Sequence, residues 1–286
     1  MEKIKEVIAN NVAVCGALFS KPDVRDYVAR TKLSELPKEF ELEMPKVKSQ
    51  GAVWSCVAHA LSTIVEYFNQ KETGKYEEMS TGYIYGNRRL TLYKGKGMYP
   101  RDAICTVVKY GDVPNAHFPV NVEVPDAVEK FEGEADKIEP FGYRFKFAEY
   151  FKLKDELSIK TSIMENGPAA LSMYWFDDIE VRDGVMHTNG VKTSKTGGHC
   201  MVIYGWNEIG WKVQNSWGSH WGNDGTVIIP YNVSIKEIWG IKDATADSSL
   251  ILKKPFRTKF GEKIAKFLNN VISVMYNILH TSKQES

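Results

Sequence analysis

Apolar side chains at Val57, Ala60, Leu61, Ile64, Val65 and Phe68 recur at three- and four-residue spacing. That pattern predicts a helix with one buried face over residues 56–68. Ser49-Gln50-Gly51 just before it is a turn signal, and Ser55 stands at the N-cap, which places Cys56 in the first helical turn. Further helical patterns follow at about 79–90, at 102–110 where Gly111 closes the run, and at 155–165 ahead of Asn166-Gly167-Pro168. Ile4, Val7, Ile8 and Val12 share one side of a short N-terminal helix, and residues 113–150 are mixed and Pro-punctuated.

From residue 169 the pattern changes to that of strands. Residues 169–175, 200–206, 211–215 and 225–231 read as strands, with Asn207-Glu208-Ile209-Gly210 as the hairpin turn between the second and third. A helical first half and a strand-rich second half predict an α+β fold of two lobes with a cleft between them. Three regions follow: an appendage over 1–36, a body over 37–245, and a linker with a C-terminal helix over 246–286. In that last helix Phe260, Ile264, Phe267, Leu268, Val271, Met275, Ile278 and Leu279 form a stripe flanked by Lys259, Lys263 and Lys266. The expectation is docking on the chain's own body, ahead of self-association or lying on a membrane surface.

The 286 residues are 43% hydrophobic and 26% charged with a net charge of +1, a globular composition that argues against nucleic acid as a partner. Four cysteines, Cys15, Cys56, Cys105 and Cys200, are too few for a disulfide framework and read as thiols of a reducing, cytoplasmic compartment. Cys105 falls in an amphipathic helix and reads as core. Residues 12–19 form an apolar run, but Glu2, Glu6, Asn10 and Asn11 interrupt the approach expected of a signal peptide.

The chemistry is concentrated at three places. A helix N-terminus favours a thiolate, so Cys56 is a candidate nucleophile. His199 begins a strand behind Gly197-Gly198, and Asn215 ends the strand paired with it. A hairpin therefore brings Asn215 beside His199, an arrangement in which imidazole takes the thiol proton and the amide orients the ring. A rival reading makes Cys56, His59, His199 and Cys200 metal ligands. Adjacent strand residues point to opposite faces, which argues against it.

Five collinear segments carry a resemblance: Gln50-Gly51 with Ser55-Cys56, Gly97 to Pro100, Asn166 to Pro168, Gly198-His199, and Asn215 to Gly225. With them the chain resembles the papain family of cysteine peptidases, whose Cys–His–Asn order is a known signature. The resemblance implies a papain-like two-lobe fold, with a helical left lobe and an antiparallel, β-barrel-like right lobe. It implies a peptide or protein substrate and no cofactor or metal. Catalysis would fall to Cys56 as nucleophile, His199 as acid and base, Asn215 as orienter and Gln50 as oxyanion donor, with Trp217 covering the Asn–His bond. Gly97 and Met98 would pair with the substrate backbone, and Tyr99, Pro100, Ser172 and Cys200 would line a side-chain pocket.

The chain departs from the family at Val53-Trp54, where a Cys-Gly pair is usual, at Val57, where an aromatic is usual, and at Met98, which replaces a glycine. It also lacks the long helical prosegment and the family disulfides, which suggests a bacterial or viral member. A catalytically silent binding protein on the same fold is the alternative. The apolar run Val12 to Phe19 is expected to cross the cleft over Cys56 and restrain the enzyme.

Overall fold

The computed structural model describes residues 14–23, 26, 28, 36–90, 95–119 and 135–244. The expected helices over 1–12 and 258–280 lie outside the described residues. All the described residues fall in one compact unit.

The first half is helical. Helix α1 (Cys56–Thr73) ends at Gly74, whose left-handed φ of 69° lets its N–H reach the Gln70 carbonyl at 2.8 Å. Helix α2 (Thr81–Gly86) is continued by a 3-10 turn over Asn87–Leu90, and α3 (Pro100–Tyr110) starts with proline at its first position. The apolar spacing of α1 predicted a single buried face. The helix is in fact buried on every side from Cys56 to Asn69, because α2 and α3 pack on it from one direction and a β-sheet from the other. In α3, Ala103, Ile104, Thr106 and Val107 face inward, whereas Cys105 is exposed with its Sγ 3.1 Å from the Tyr150 hydroxyl. The core reading of Cys105 is thereby corrected: its flanking apolar neighbours define the buried face, and Cys105 lies off it.

Helices α4 (Ala135–Gly142) and α5 (Glu156–Asn166) flank the first long strand. The strands are β1 (Phe40–Glu41), β2 (Phe147–Leu153), β3 (Ala169–Trp175), β4 (Glu180–Arg182), β5 (Val185–His187), β6 (Gly197–Trp206), β7 (Gly210–Gln214), β8 (Thr226–Pro230) and β9 (Ile235–Asp243). They lie in the order β2-β9-β3-β6-β7-β8-β5-β4, with β1 added beside β6, and only the β5–β8 pairing is parallel. The result is the expected α+β fold.

Two apolar clusters underlie it. One gathers α1, α2 and α3 around Leu61, Ile64, Tyr83 and Ile104. The other fills the sheet around Leu171, Met173, Ile203, Trp206 and Ile229. Strand β6 serves both, since Cys200 and Val202 pack in the first cluster while Met201 and Ile203 pack in the second. Alternation along one strand thus gives each lobe a face of the same element.

Candidate active site

Cys56 opens α1 and is completely buried. Its sulfur accepts a hydrogen bond from the Gly16 N–H at 3.3 Å. Burial pushes the thiol above its ordinary range, outweighing the backbone N–H groups of Cys200, Gly16, Val57 and Cys56 itself that pull the other way. The helix N-terminus was expected to favour the thiolate. Here desolvation wins, because residues 14–20 lie across the sulfur and exclude water.

His199 and Asn215 are brought together by the β6–β7 hairpin. Its turn is held by Asn207, whose Oδ1 accepts from the N–H groups of Ile209 and Gly210. Val202 pairs with Gln214, so Asn215 emerges one residue beyond the ladder and level with the His199 ring. His199 Nε2 stands 2.7 Å from Asn215 Oδ1, and that oxygen also accepts the Ser216 N–H at 2.8 Å. The second bond fixes which end of the amide faces the ring, so Nε2 carries the proton and Nδ1 keeps its lone pair. Nδ1 is buried without a hydrogen-bond partner, and so the imidazole and the Cys56 thiol are not bonded to each other. Trp217 stacks on the imidazole with centroids 4.6 Å apart, and Trp175 meets it edge-on at 5.3 Å. Complete burial lowers the imidazole to about 4, opposed by the Asn215 bond.

Gln50 is held from both ends. Its N–H donates to the Ser216 carbonyl at 2.8 Å, and its Oε1 accepts the Ser216 hydroxyl at 2.7 Å. The Nε2 end therefore points the other way, to the carbonyls of Val53 at 2.8 Å and Val14 at 3.1 Å.

Residues 14–20 form a strap in the groove. The Gly16 carbonyl accepts from the Met98 N–H and the Leu18 N–H donates to the Met98 carbonyl, each at 2.9 Å, with Ala17 running parallel to Met98. On the other side the Ala17 N–H donates to the Gly198 carbonyl at 2.8 Å. Strap backbone occupies the space a Cβ would need at Gly97 and Gly198, so this close approach requires glycine at both. Farther along, the Ser20 N–H donates to Glu237 Oε1 at 3.0 Å, and Arg101 pairs with Asp26 at 2.9 Å. Phe19 packs edge-on against Tyr174 at 4.7 Å.

The other expected residues surround this groove. Tyr99 and Pro100 start α3 directly after Met98. Ser172 and Cys200 are cross-strand partners, both buried, and the Cys200 backbone lies against Cys56. Sequence reasoning passed over Glu237, which pairs with Ser172 from the next strand and also accepts the Trp239 indole N–H at 2.9 Å. A lone acidic residue in a short strand carries no motif, and only the register reveals its place. His59 is buried, with Nδ1 lying 3.2 Å from Ser55 Oγ and 3.0 Å from the Ser55 carbonyl, and burial lowers it to about 3. Among the described residues no cluster of His, Cys, Asp or Glu is placed to hold a metal ion.

Known proteins resemble this chain in sequence and in fold. A sequence model described as papain family cysteine protease matches residues 36–246. An uncharacterized peptidase C1-like protein of Acanthamoeba polyphaga mimivirus is 26% identical over 271 residues, spanning 80% of this chain and 87% of its own. Among solved structures, xylellain, a cysteine protease from Xylella fastidiosa, superposes with a TM-score of 0.71 at 22% identity, covering 82% of this chain and 97% of its own. Digestive procathepsin L 3 of Tenebrio molitor larval midgut gives a TM-score of 0.63 at 18% identity, covering 84% and 79% respectively.

Proposed function

Since the chain belongs to the papain family of cysteine proteases, we propose that it hydrolyses peptide bonds through Cys56 and is held latent by its own residues 14–20. The chain is a cysteine peptidase, a hydrolase acting on peptides or proteins. In the working form His199 Nδ1 takes the Cys56 proton, while Asn215 keeps the opposite nitrogen protonated and the ring in place. The thiolate attacks the scissile carbonyl carbon. The oxygen that becomes negative is met by Gln50 Nε2 and the Cys56 backbone N–H, donors of a kind each worth about 3 kcal/mol in the transition state. His199 then gives its proton to the departing amine. Water, deprotonated by the same nitrogen, releases the acyl group.

The observation that carries the latency is what the strap offers the sulfur. Cleavage needs one peptide unit with its carbon at Sγ and its oxygen on the oxyanion donors. Gln50 Nε2 instead holds the Val14 oxygen, while the sulfur receives the Gly16 N–H, two residues farther on. An N–H gives a nucleophile nothing to attack. The strap therefore fills the machinery without presenting a scissile bond, and His199 is left without the thiol it would deprotonate.

All described cysteines are free thiols, which supports the reading of a protein working in reducing surroundings. The test is peptide hydrolysis by the full chain, by a chain beginning at Leu36, and by Ala17→Pro, which removes the N–H given to Gly198. Both altered chains are expected to cleave a fluorogenic peptide at least about tenfold faster, the size of losing one or two backbone hydrogen bonds. In each of them Cys56→Ala should reduce hydrolysis to background. Equal rates with and without the strap would end the latency reading, and activity surviving Cys56→Ala would end the assignment of the nucleophile.

A further inference from the structure

The strap brings a second thiol to the nucleophile. Gly16 donates to Cys56 Sγ at 3.3 Å, and Cys15 is the residue bonded to that nitrogen. Standard backbone dimensions then put the Cys15 Cα within roughly 6 Å of the Cys56 sulfur, so that a side-chain rotation with a backbone shift of the strap closes a disulfide. The strap is pinned on both sides of Cys15, by the Val14 carbonyl on Gln50 and by the Ala17 N–H on Gly198. Cys15 therefore returns to the same place whenever the strap closes. Its Cβ lies against the bare Cα of Gly197, two residues before His199.

Cys15 is only partly buried, whereas Cys56 is wholly so. Cys200 also adjoins Cys56, but it sits inside β6, paired with Ser172 of β3, so moving it toward Cys56 would break that ladder. Moving Cys15 breaks none.

We propose that Cys15 is the oxidation partner of Cys56, joining it in a reversible disulfide that ties the strap covalently over the nucleophile when a peroxide-class oxidant is present. This rests on the reading that Cys56 is the nucleophile and that residues 14–20 cover it. With the strap lifted, the Cys56 thiolate attacks one oxygen of hydrogen peroxide. The S–O bond forms, the O–O bond breaks, and the leaving hydroxide takes up a proton to become water. When the strap returns, the Cys15 sulfur attacks the sulfenic sulfur. The S–S bond forms, the S–O bond breaks, and hydroxide departs with the Cys15 proton as a second water. Two thiols are oxidised and one peroxide is reduced to two waters. A thiol reductant reverses the link by exchange. The bond stores the enzyme in a form that further oxidant cannot drive to sulfinic acid.

The full chain treated with hydrogen peroxide and digested without reductant should yield one peptide pair joining Cys15 to Cys56, with an intact mass lower by two hydrogens. Dithiothreitol should restore both thiols. In Cys15→Ser the same treatment should leave Cys56 carrying two or three oxygens that dithiothreitol does not remove, whereas Cys200→Ser should still form the Cys15–Cys56 pair. A Cys56–Cys200 pair in the full chain, or equal irreversible oxidation of Cys56 with and without Cys15, would overturn the proposal. The mass readout does not depend on hydrolysis. A chain that cleaves peptides yet never forms the pair loses only the latch, whereas one that forms the pair yet never cleaves loses only the peptidase assignment.

Discussion

Helix α1 carries buried polar groups at both of its sides, and the two sets are satisfied in different ways. Away from the cleft, Lys48 donates at 2.8 Å to both the Ser62 hydroxyl and Glu66 Oε1, and Glu66 Oε1 also accepts the Met79 N–H at 2.8 Å. These partners all belong to the packed body and stay with it. At the cleft, Cys56 is served by Gly16 of the strap, Gln50 Nε2 is shared between Val14 of the strap and Val53 of the body, and His199 Nδ1 has no hydrogen-bond partner. Buried polar groups closed on permanent partners hold a fold together. Glu66 Oε2 and His199 Nδ1 are both buried without a hydrogen-bond partner, so it is the cleft groups closed by a separable segment that a substrate can take over. The same helix thus separates a structural network from a reactive one.

The sharpest way to break that comparison is to cut one member from each side. Gln50→Ala in a strap-disrupted chain is expected to lower kcat per folded molecule by about 10² to 10³, with stability falling only by the hydrogen bonds Gln50 makes with Val53 and Ser216. Lys48→Met should do the reverse. It leaves Glu66 buried without its cation, a loss of about 3 kcal/mol of stability, while kcat per folded molecule is retained. If Lys48→Met lowered kcat as far as Gln50→Ala, the division between the two networks would fail.

A pH-dependent effect separates the networks as well. Burial raises the Asp112 carboxyl to about 8, with Lys48 and the Val113 N–H opposing, so in the fold it stays protonated where an unfolded aspartate has ionised. A raised value in the folded state means that the stabilising contribution is full below about pH 4 and is lost as pH rises toward 8, at up to about 1.4 kcal/mol per pH unit. Denaturant unfolding of wild type and Asp112→Asn at pH 5 and pH 8 checks it. The variant should gain on the wild type between the two pH values, and a constant difference would refute the assignment.

The reactive side was the more legible in sequence, and the reason is physical. Cys56, His199, Asn215 and Gln50 are residue types that few other jobs require, set at turns and element ends that the sequence also signals. The apolar run Val12 to Phe19 is the expected covering segment, and within it Gly16 donates to the Cys56 sulfur. Its contacts were not foreseeable, because they are made by backbone atoms that any residue possesses. Strand β2 was hidden by a register shift between Phe147 and Glu149, which breaks its alternation. Strand β9 was hidden by Glu237 and by Gly240, whose missing Cβ leaves room for the Phe151 ring. The structural network left no trace at all, since Lys48, Glu66 and Asp112 are scattered and individually unremarkable.

If the strap occupies the nucleophile, the alkylation rate of Cys56 reads it directly. Iodoacetamide is applied at pH 7 to the full chain and to Ala17→Pro, and the peptide containing Cys56 is followed by mass. Labelling should be slow in the full chain and at least about tenfold faster in the variant. Equal rates would show that the strap does not cover the sulfur.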